Sequence, residues 1–200
     1  MSQAKVLSEK EVRKVLLYIA SRKHSTRNRA MFVLLNATGM RVGELAAIQI
    51  SQVLTRNGEI VDEIRLAADQ TKGSRGRTVV LNQKAQEEIK SYLQTRFKLK
   101  DLLAVTMTDT SRALFTTQKN PNRGFTASTL AQHFHYMYKN AGIMGASSHS
   151  SRRSFITKLS EMGVSVRVLM DLAGHRSLAV TQKYIESNPK LMRSAVELLA

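Results

Sequence analysis

The sequence predicts a mainly α-helical fold with one small antiparallel β-sheet, an α+β domain. Apolar residues recur at the spacing of amphipathic helices near both ends of the chain. Between them, residues 59–81 carry β-branched side chains on both sides of a glycine-containing turn, as in a β-hairpin. The chain has 200 residues, 42% of them hydrophobic, which is enough for one self-supporting core. We find no linker and no internal repeat, so we expect a single domain over residues 1–200.

The first half of the chain has three segments with helical character. They cover about residues 9–21, 27–38 and 43–49. Ser8 and Glu11 form a capping-box pattern before the first helix, and Gly39 supplies a stop after the second. The β-hairpin follows, with its turn at residues 72–76. The predicted order is therefore three helices followed by one short β-sheet.

The second half of the chain is predicted to be mostly helical. The helices cover about residues 82–93, 127–140, 150–162, 165–173 and 189–199. The polar stretch 100–126 is expected to be a loop with a short strand near residues 114–115. The last helix begins at an Asn188-Pro189 pair and has an apolar stripe. That stripe either packs on its own domain or is exchanged with a neighbouring subunit.

Composition and charge exclude several classes of protein. The 31 basic and 15 acidic residues give a net charge of +16 and a pI near 10.5, which favours a polyanionic partner such as nucleic acid over solubility alone. No cysteine is present, which excludes disulfides, thiolate zinc sites and thiol nucleophiles. No apolar run reaches the roughly 18 residues of a membrane span, and the charged first 20 residues do not resemble a signal peptide.

Four polar motifs are not needed by a helical scaffold. They are Thr-Gly-Met-Arg-Val-Gly-Glu-Leu at 38–45, Thr-Lys-Gly at 71–73, His-Ser-Ser-Arg at 149–152, and Gly-His at 174–175 with Tyr184 nine residues later. In this order and spacing they resemble the tyrosine recombinase, or phage integrase, family from about Leu7 to Tyr184. The resemblance implies the catalytic-domain fold of that family. It also implies site-specific DNA cleavage and rejoining through a 3′-phosphotyrosine.

The residue types fit that chemistry. A tyrosine phenol, here Tyr184, can store a cleaved phosphodiester as a phosphoester without ATP. A phenol has an ordinary pKa near 10, so it needs a general base, for which His149 is the candidate. The leaving 5′-hydroxyl needs a general acid, for which Lys72 in the hairpin turn is the candidate. The guanidinium forks of Arg41 and Arg152 suit the charge that develops on the phosphate oxygens.

Further residues are expected to support the reaction. The resemblance implies that His175 donates a hydrogen bond to the same phosphate. Glu44 lies three residues after Arg41 on one helical face, where it can orient an arginine or histidine without carrying a proton. Candidate DNA contacts are Arg75, Arg77, Arg123 and Arg153. No carboxylate cluster has metal-ligand spacing, so we expect no metal and no other cofactor.

The sequence departs from the family in two places. Ser151 and Arg153 stand where leucine and histidine are commonest, which makes Arg153 a candidate contact to the DNA backbone. Most family members also have a helical core-binding domain before the catalytic one, whereas about six residues precede the first helix here. An initial Met1 favours a short recombinase of the fimbrial-invertase type over an excised catalytic domain.

The resemblance implies double-stranded DNA as partner, with a homotetramer assembled on it and accessory DNA-bending proteins. The protein would act in the cytoplasm, on the nucleoid. Two alternatives stay open. One is a DNA-relaxing enzyme similar to type IB topoisomerases, and the other is a DNA-binding protein with an inactive site. The DNA sequence recognised, and the choice between integration, inversion and resolution, are not specified by these motifs.

Overall fold

A computed structural model describes residues 4–55, 57–71, 75–98, 101, 109, 111–120, 122–185, 192, 193, 196 and 197. Its α-helices are α1 Glu9–Ala20, α2 Ser25–Thr38, α3 Val42–Ala47, α4 Gln83–Arg96, α5 Ala127–Asn140, α6 Ser150–Glu161, α7 Val166–Ala173 and α8 Leu178–Gln182. Its strands are β1 Glu63–Leu66 and β2 Arg77–Val80. The predicted α+β fold class is confirmed. Among the described helices, none has the length and apolar character required to cross a membrane.

Helix α2 lies at the centre of the fold. It packs against α1, α4 and α6, and its residues Met31, Leu34 and Leu35 have no exposed surface. Gly39 ends the helix with a positive φ of 60°, which glycine adopts without strain. A Cβ atom at Gly39 would clash with the ring of Phe155, so the glycine also lets α6 approach the end of α2.

The β-hairpin forms with the predicted antiparallel pairing. Glu63 pairs with Val80 at one end and Leu66 with Arg77 at the other. Buried side chains alternate with exposed ones along β1, as expected for a sheet with one face on the core. A short 3₁₀ helix, Ala68–Gln70, follows β1. The tip of the hairpin, residues 72–74, lies outside the described residues.

Two local features differ from the sequence predictions, and a third predicted element lies mostly outside the described residues. Residues 114–115 do not form a strand, and isolated bridges join Gln49 to Ala113 and Thr116 to Gly124 on either side of them. Leu114 and Phe115 are fully buried, which explains the strand-like apolar pair. Helix α8 was not predicted, because its five residues are too few for a periodic pattern. Most of the predicted helix 189–199 lies outside the described residues.

Candidate functional site

Several of the predicted site residues meet at the C-terminal end of α7. Three consecutive backbone carbonyls there each accept a hydrogen bond from a different arginine. Leu172 accepts from Arg77 at 2.9 Å, Ala173 from Arg152 at 2.7 Å, and Gly174 from Arg41 at 3.3 Å. The last carbonyls of a helix lack partners within it and carry its partial negative charge, so cations are stabilised at this end. Arg41, Arg77 and Arg152 are named the arginine cluster below.

Glu44 joins two members of the arginine cluster. Its side chain is 1% exposed, and its two oxygens lie 2.9 Å from Arg41 Nη1 and 2.8 Å from Arg77 Nη2. The carboxylate also accepts the Arg41 backbone N–H at 2.7 Å, which satisfies a donor at the start of α3. Burial alone raises the pKa of Glu44, but hydrogen bonds and positive charge from Arg77 and Arg41 outweigh it, so the pKa lies below its usual 4.5. Glu44 is therefore a buried anion at neutral pH.

Arg152 spans the ends of two helices. Its guanidinium donates to the Gly39 carbonyl at 2.8 Å as well as to Ala173, and the residue is 4% exposed. Burial, followed by the positive charge of Arg41, lowers the pKa of Arg152 to about 10. The group therefore stays cationic at neutral pH, and two backbone carbonyls fix its orientation.

Gly174 makes room for the arginine cluster. It ends α7 with a φ of +64°, and a Cβ atom there would lie 2.6 Å from Cδ of Arg77. Replacing Gly174 by alanine is expected to cost about 1–2 kcal/mol of unfolding free energy from the left-handed backbone, plus a further cost from displacing Arg77.

Gly163→Ala is the matched control for this prediction, because Gly163 has a φ of +81° and open space at the Cβ position. Urea unfolding of both variants separates the backbone cost from the steric cost. Equal losses of unfolding free energy would contradict a steric role for Gly174.

His175 and Tyr184 stack on each other beside the cluster. Their ring centroids are 5.5 Å apart, with 20° between the ring planes. Nδ1 of His175 lies 2.9 Å from the hydroxyl of Thr181, a fully buried residue of α8. When that hydroxyl donates to Nδ1, the proton of the neutral ring is on Nε2, which can then donate to a substrate oxygen. The unpredicted helix α8 thus orients the His175 ring, on which the Tyr184 ring stacks.

The imidazole of His175 is expected to be neutral over the physiological pH range. Burial, followed by the charges of Arg152, Arg41 and Arg77, lowers its pKa from 6.5 to about 4. NMR titration of the ring nitrogens, assigned with a His175→Gln variant, should show no protonation between about pH 5.5 and 8. A midpoint at pH 6 or above would contradict this electrostatic environment.

The same pKa sets the sign of a stability change. Because the unfolded ring titrates near 6.5 and the folded ring near 4, the unfolded state binds more protons between these values. His175 therefore contributes stability that is complete above pH 6.5 and is lost as the pH falls toward 4.

A cavity of about 430 Å³ opens next to Tyr184. Its lining includes Ser147, His149, Arg153, Val180, Lys183 and Tyr184. His149 is exposed and immediately precedes α6, so the predicted base and the predicted nucleophile share one open pocket. Arg153 donates to the Ala4 carbonyl at 3.0 Å on the cavity wall.

The remaining predicted residues are more scattered. Lys72 lies outside the described residues, and Arg75 and Arg123 are exposed on separate segments of the surface. Arg77 points inward, with 11% of its side chain exposed. The catalytic and DNA-binding roles of all these residues stay predictions. In the described segments, no group of three or more histidine, cysteine or acidic residues has a metal-binding arrangement.

Sequence reasoning missed two features of the site. The internal contacts of Arg77 depend on pairing between distant elements, which no local pattern reveals. Thr181, three residues before Tyr184, is buried and bonded to His175. Its position three residues before Tyr184 was the one sequence feature that could have indicated this role. A single threonine in a five-residue helix is too common to be recognised in that way.

Comparison with known proteins gives consistent results. The family model described as "Phage integrase family" matches residues 5–190. A tyrosine recombinase XerA of Pyrococcus furiosus is 32% identical over 194 residues, which are 96% of this chain and 61% of that protein. A tyrosine recombinase XerD of Oceanobacillus iheyensis is 31% identical over 180 residues, 90% of this chain and 56% of that protein. The chain thus spans between half and two thirds of the length of these curated relatives.

Solved structures give the same picture of the fold. The crystal structure of a XerA recombinase superimposes with a TM-score of 0.72 at 26% identity, over 98% of this chain and 66% of that one. A Tn1549 transposon integrase in complex with a circular intermediate DNA has a TM-score of 0.73 at 18% identity, over 100% of this chain and 67% of that one. The second likeness shows a shared fold alone. The predicted catalytic-domain fold is confirmed.

Proposed function

This chain belongs to the phage integrase family, and on that basis we propose that it is a site-specific DNA recombinase that cleaves and rejoins DNA through a 3′-phosphotyrosine. The observation that carries the proposal is the position of Tyr184. Its ring stacks on His175 at the edge of a cluster of three arginines, two of which contact one buried carboxylate. A tyrosine beside an excess of two positive charges suits attack on a phosphodiester.

Residues of this chain supply the nucleophile, the general base and the general acid of the proposed cleavage step. The Tyr184 hydroxyl oxygen attacks phosphorus, its proton passes to His149, and the bond from phosphorus to the 5′ oxygen breaks. The leaving 5′ oxygen takes a proton from Lys72 and becomes a hydroxyl. Attack of a 5′-hydroxyl from a second strand on the phosphotyrosine reverses these transfers and completes the exchange. The bond energy is kept in the phosphoester, so no ATP is needed.

Arg41 and Arg152 bind the phosphate in this proposal. Each guanidinium has five N–H donors. Arg152 uses donors on Nη1 and Nη2 for two carbonyls, which fixes the plane of the group before DNA binds. Preorganised donors of this kind stabilise developing charge without rearranging during the reaction. The neutral His175 adds one donor, and Glu44 keeps Arg41 in place.

Double-stranded DNA is the proposed partner. The net charge of +16 favours binding to phosphate, and Arg75, Arg123 and Arg153 are candidate contacts in addition to the site. We further propose a homotetramer on DNA, with residues 189–199 exchanged between neighbours, and accessory proteins that bend the DNA. Such an enzyme acts in the cytoplasm, on the nucleoid.

The test uses DNA fragments that carry a nick one or a few nucleotides from each candidate cleavage point, so that the cleaved end diffuses away and the covalent product accumulates. The reaction is run in EDTA and analysed on a denaturing gel. Trypsin cuts after Lys183, so mass spectrometry of the adduct should place a 3′-phosphate on the peptide that begins at Tyr184.

The outcomes separate the alternatives. An adduct, together with strand exchange only between two matched sites, supports the recombinase. An adduct with relaxation of any supercoiled plasmid and no strand exchange favours the topoisomerase-like alternative. DNA binding without an adduct, on a library that includes the native site, favours an inactive site and overturns the proposal.

A further inference from the structure

The contacts of Arg77 fit neither a solvent-exposed hairpin residue nor a DNA contact. We propose that Arg77 is a positioning residue, which holds Glu44 and the end of α7 so that Arg41 and His175 face the scissile phosphate. This inference rests on the proposed function. It assigns to β2 a role in building the site.

All three guanidinium nitrogens of Arg77 are used inside the protein. Nε and Nη2 donate to the two oxygens of Glu44 at 3.3 and 2.8 Å, and Nη1 donates to the Leu172 carbonyl at 2.9 Å. The side chain is 11% exposed. A DNA phosphate would have to compete with a buried carboxylate for this group, so a direct DNA contact is disfavoured.

The shape of the site requires arginine at this position. A planar fork can bind a carboxylate with two nitrogens and still reach a carbonyl with the third, whereas a lysine ammonium is a single charged point. Cδ of Arg77 lies 2.6 Å from the position that a Cβ atom of residue 174 would occupy, and glycine has no such atom. The glycine and the arginine thus fit each other as a pair.

Arg77 links parts of the chain that are far apart in sequence. It begins β2, and its two partners lie on α3 and at the end of α7. Glu44 binds Arg41, and Arg41 also donates to the carbonyl of Gly174, two residues after Leu172. Loss of Arg77 therefore loosens both groups that orient Arg41. The position of the hairpin is coupled to the position of the phosphate-binding arginines.

Two variants and one control test the proposal. Arg77→Lys keeps the charge and removes the fork, and Arg77→Gln removes both. Arg65→Gln is the control, because Arg65 is an exposed residue of the same sheet whose removal also lowers the net charge by one. The rate of covalent adduct formation is measured at saturating DNA, and the DNA affinity is measured as a function of salt concentration.

We expect Arg77→Gln to lower the adduct rate at saturating DNA by about ten- to a hundredfold, because small displacements of catalytic groups cost that much. Arg77→Lys should lose at least severalfold, while Arg65→Gln stays within about twofold of wild type. The slope of log affinity against log salt should not change in either Arg77 variant. A slope lower by about one, with an unchanged rate at saturation, would identify a phosphate contact and overturn the proposal.

A second measurement separates this inference from the proposed function. If wild type forms no adduct on any DNA, the proposed function fails, and NMR of the guanidinium protons still tests Arg77. Loss of the Arg41 guanidinium signal in an Arg77 variant, and not in Arg65→Gln, supports positioning. An unchanged Arg41 signal overturns it. Arg77→Lys is used for both measurements if Arg77→Gln does not fold.

Discussion

Replacing Tyr184 by phenylalanine is expected to abolish covalent adduct formation, the largest effect of any single substitution here. The change removes one oxygen atom, the proposed nucleophile, and leaves the ring that stacks on His175. Ser147 is the other hydroxyl in the cavity lining, and the stack on His175 beside the arginine cluster distinguishes Tyr184 from it. The denaturing-gel assay with nicked DNA measures the loss directly.

The control for this prediction is Tyr136→Phe. Tyr136 is 53% exposed, lies on α5 and lines a pocket that includes none of the predicted site residues, so its hydroxyl should not affect cleavage. DNA affinity should be within about twofold of wild type in both variants, since neither removes a charge. An adduct that persists in Tyr184→Phe would show that another residue attacks the phosphate.

Replacing Glu44 by glutamine is expected to destabilise the fold by about 3–5 kcal/mol, the range measured when one partner of a buried ion pair is removed. The amide is nearly isosteric, so packing is kept and the electrostatic change is isolated. Arg41 and Arg77 would then face each other without the anion that both contact. Urea unfolding measures the loss, and adduct formation should fall with it because Arg41 loses its main constraint.

Glu9→Gln is the control for the Glu44 prediction. Glu9 is 80% exposed and lies 3.9 Å from Arg13, so its replacement should cost less than about 1 kcal/mol of unfolding free energy.

The pH dependence of stability gives a second check of the Glu44 prediction. The pKa of Glu44 is lowered by folding, so its stabilising effect is complete above its unfolded value of 4.5 and is lost as the pH falls through the folded value. The difference between wild type and Glu44→Gln should therefore shrink on acidification. A difference that is constant from pH 7 to 3 would contradict the buried ion pairs.

Local signals in the sequence were sufficient for most helices. The Ser8–Glu11 capping box forms as predicted, with the Glu11 side chain accepting from Ser8 and the Ser8 hydroxyl accepting from Glu11. Gly39 and Gly174 both end helices with positive φ. Such features depend on neighbouring residues, which is why periodicity and caps reveal them. Leu114 and Phe115 were mistaken for a strand because a buried apolar pair has the same composition whether or not a ladder forms.

The site was predicted residue by residue but not as an arrangement. The motifs named Arg41, Arg152, His175 and Tyr184, and the structure brings these four together at the end of α7. Arg41 and Arg152 are held there by two successive backbone carbonyls of one helix terminus, which carry no side-chain signature. For the same reason the hairpin position of Arg77 suggested a surface role, although its guanidinium turns to Glu44 and Leu172.

The segment before α1 is attached to α6 at two adjacent positions. The fully buried Leu7 donates its backbone N–H to the Ser154 hydroxyl at 2.7 Å, and Arg153 donates to the Ala4 carbonyl at 3.0 Å. A pulling force applied to this segment would therefore act directly on α6, the helix that carries Arg152, through these two hydrogen bonds. A fluorophore or bead attached at the amino terminus in single-molecule experiments therefore needs a long, flexible spacer, so that pulling does not tilt α6 and displace the guanidinium of Arg152.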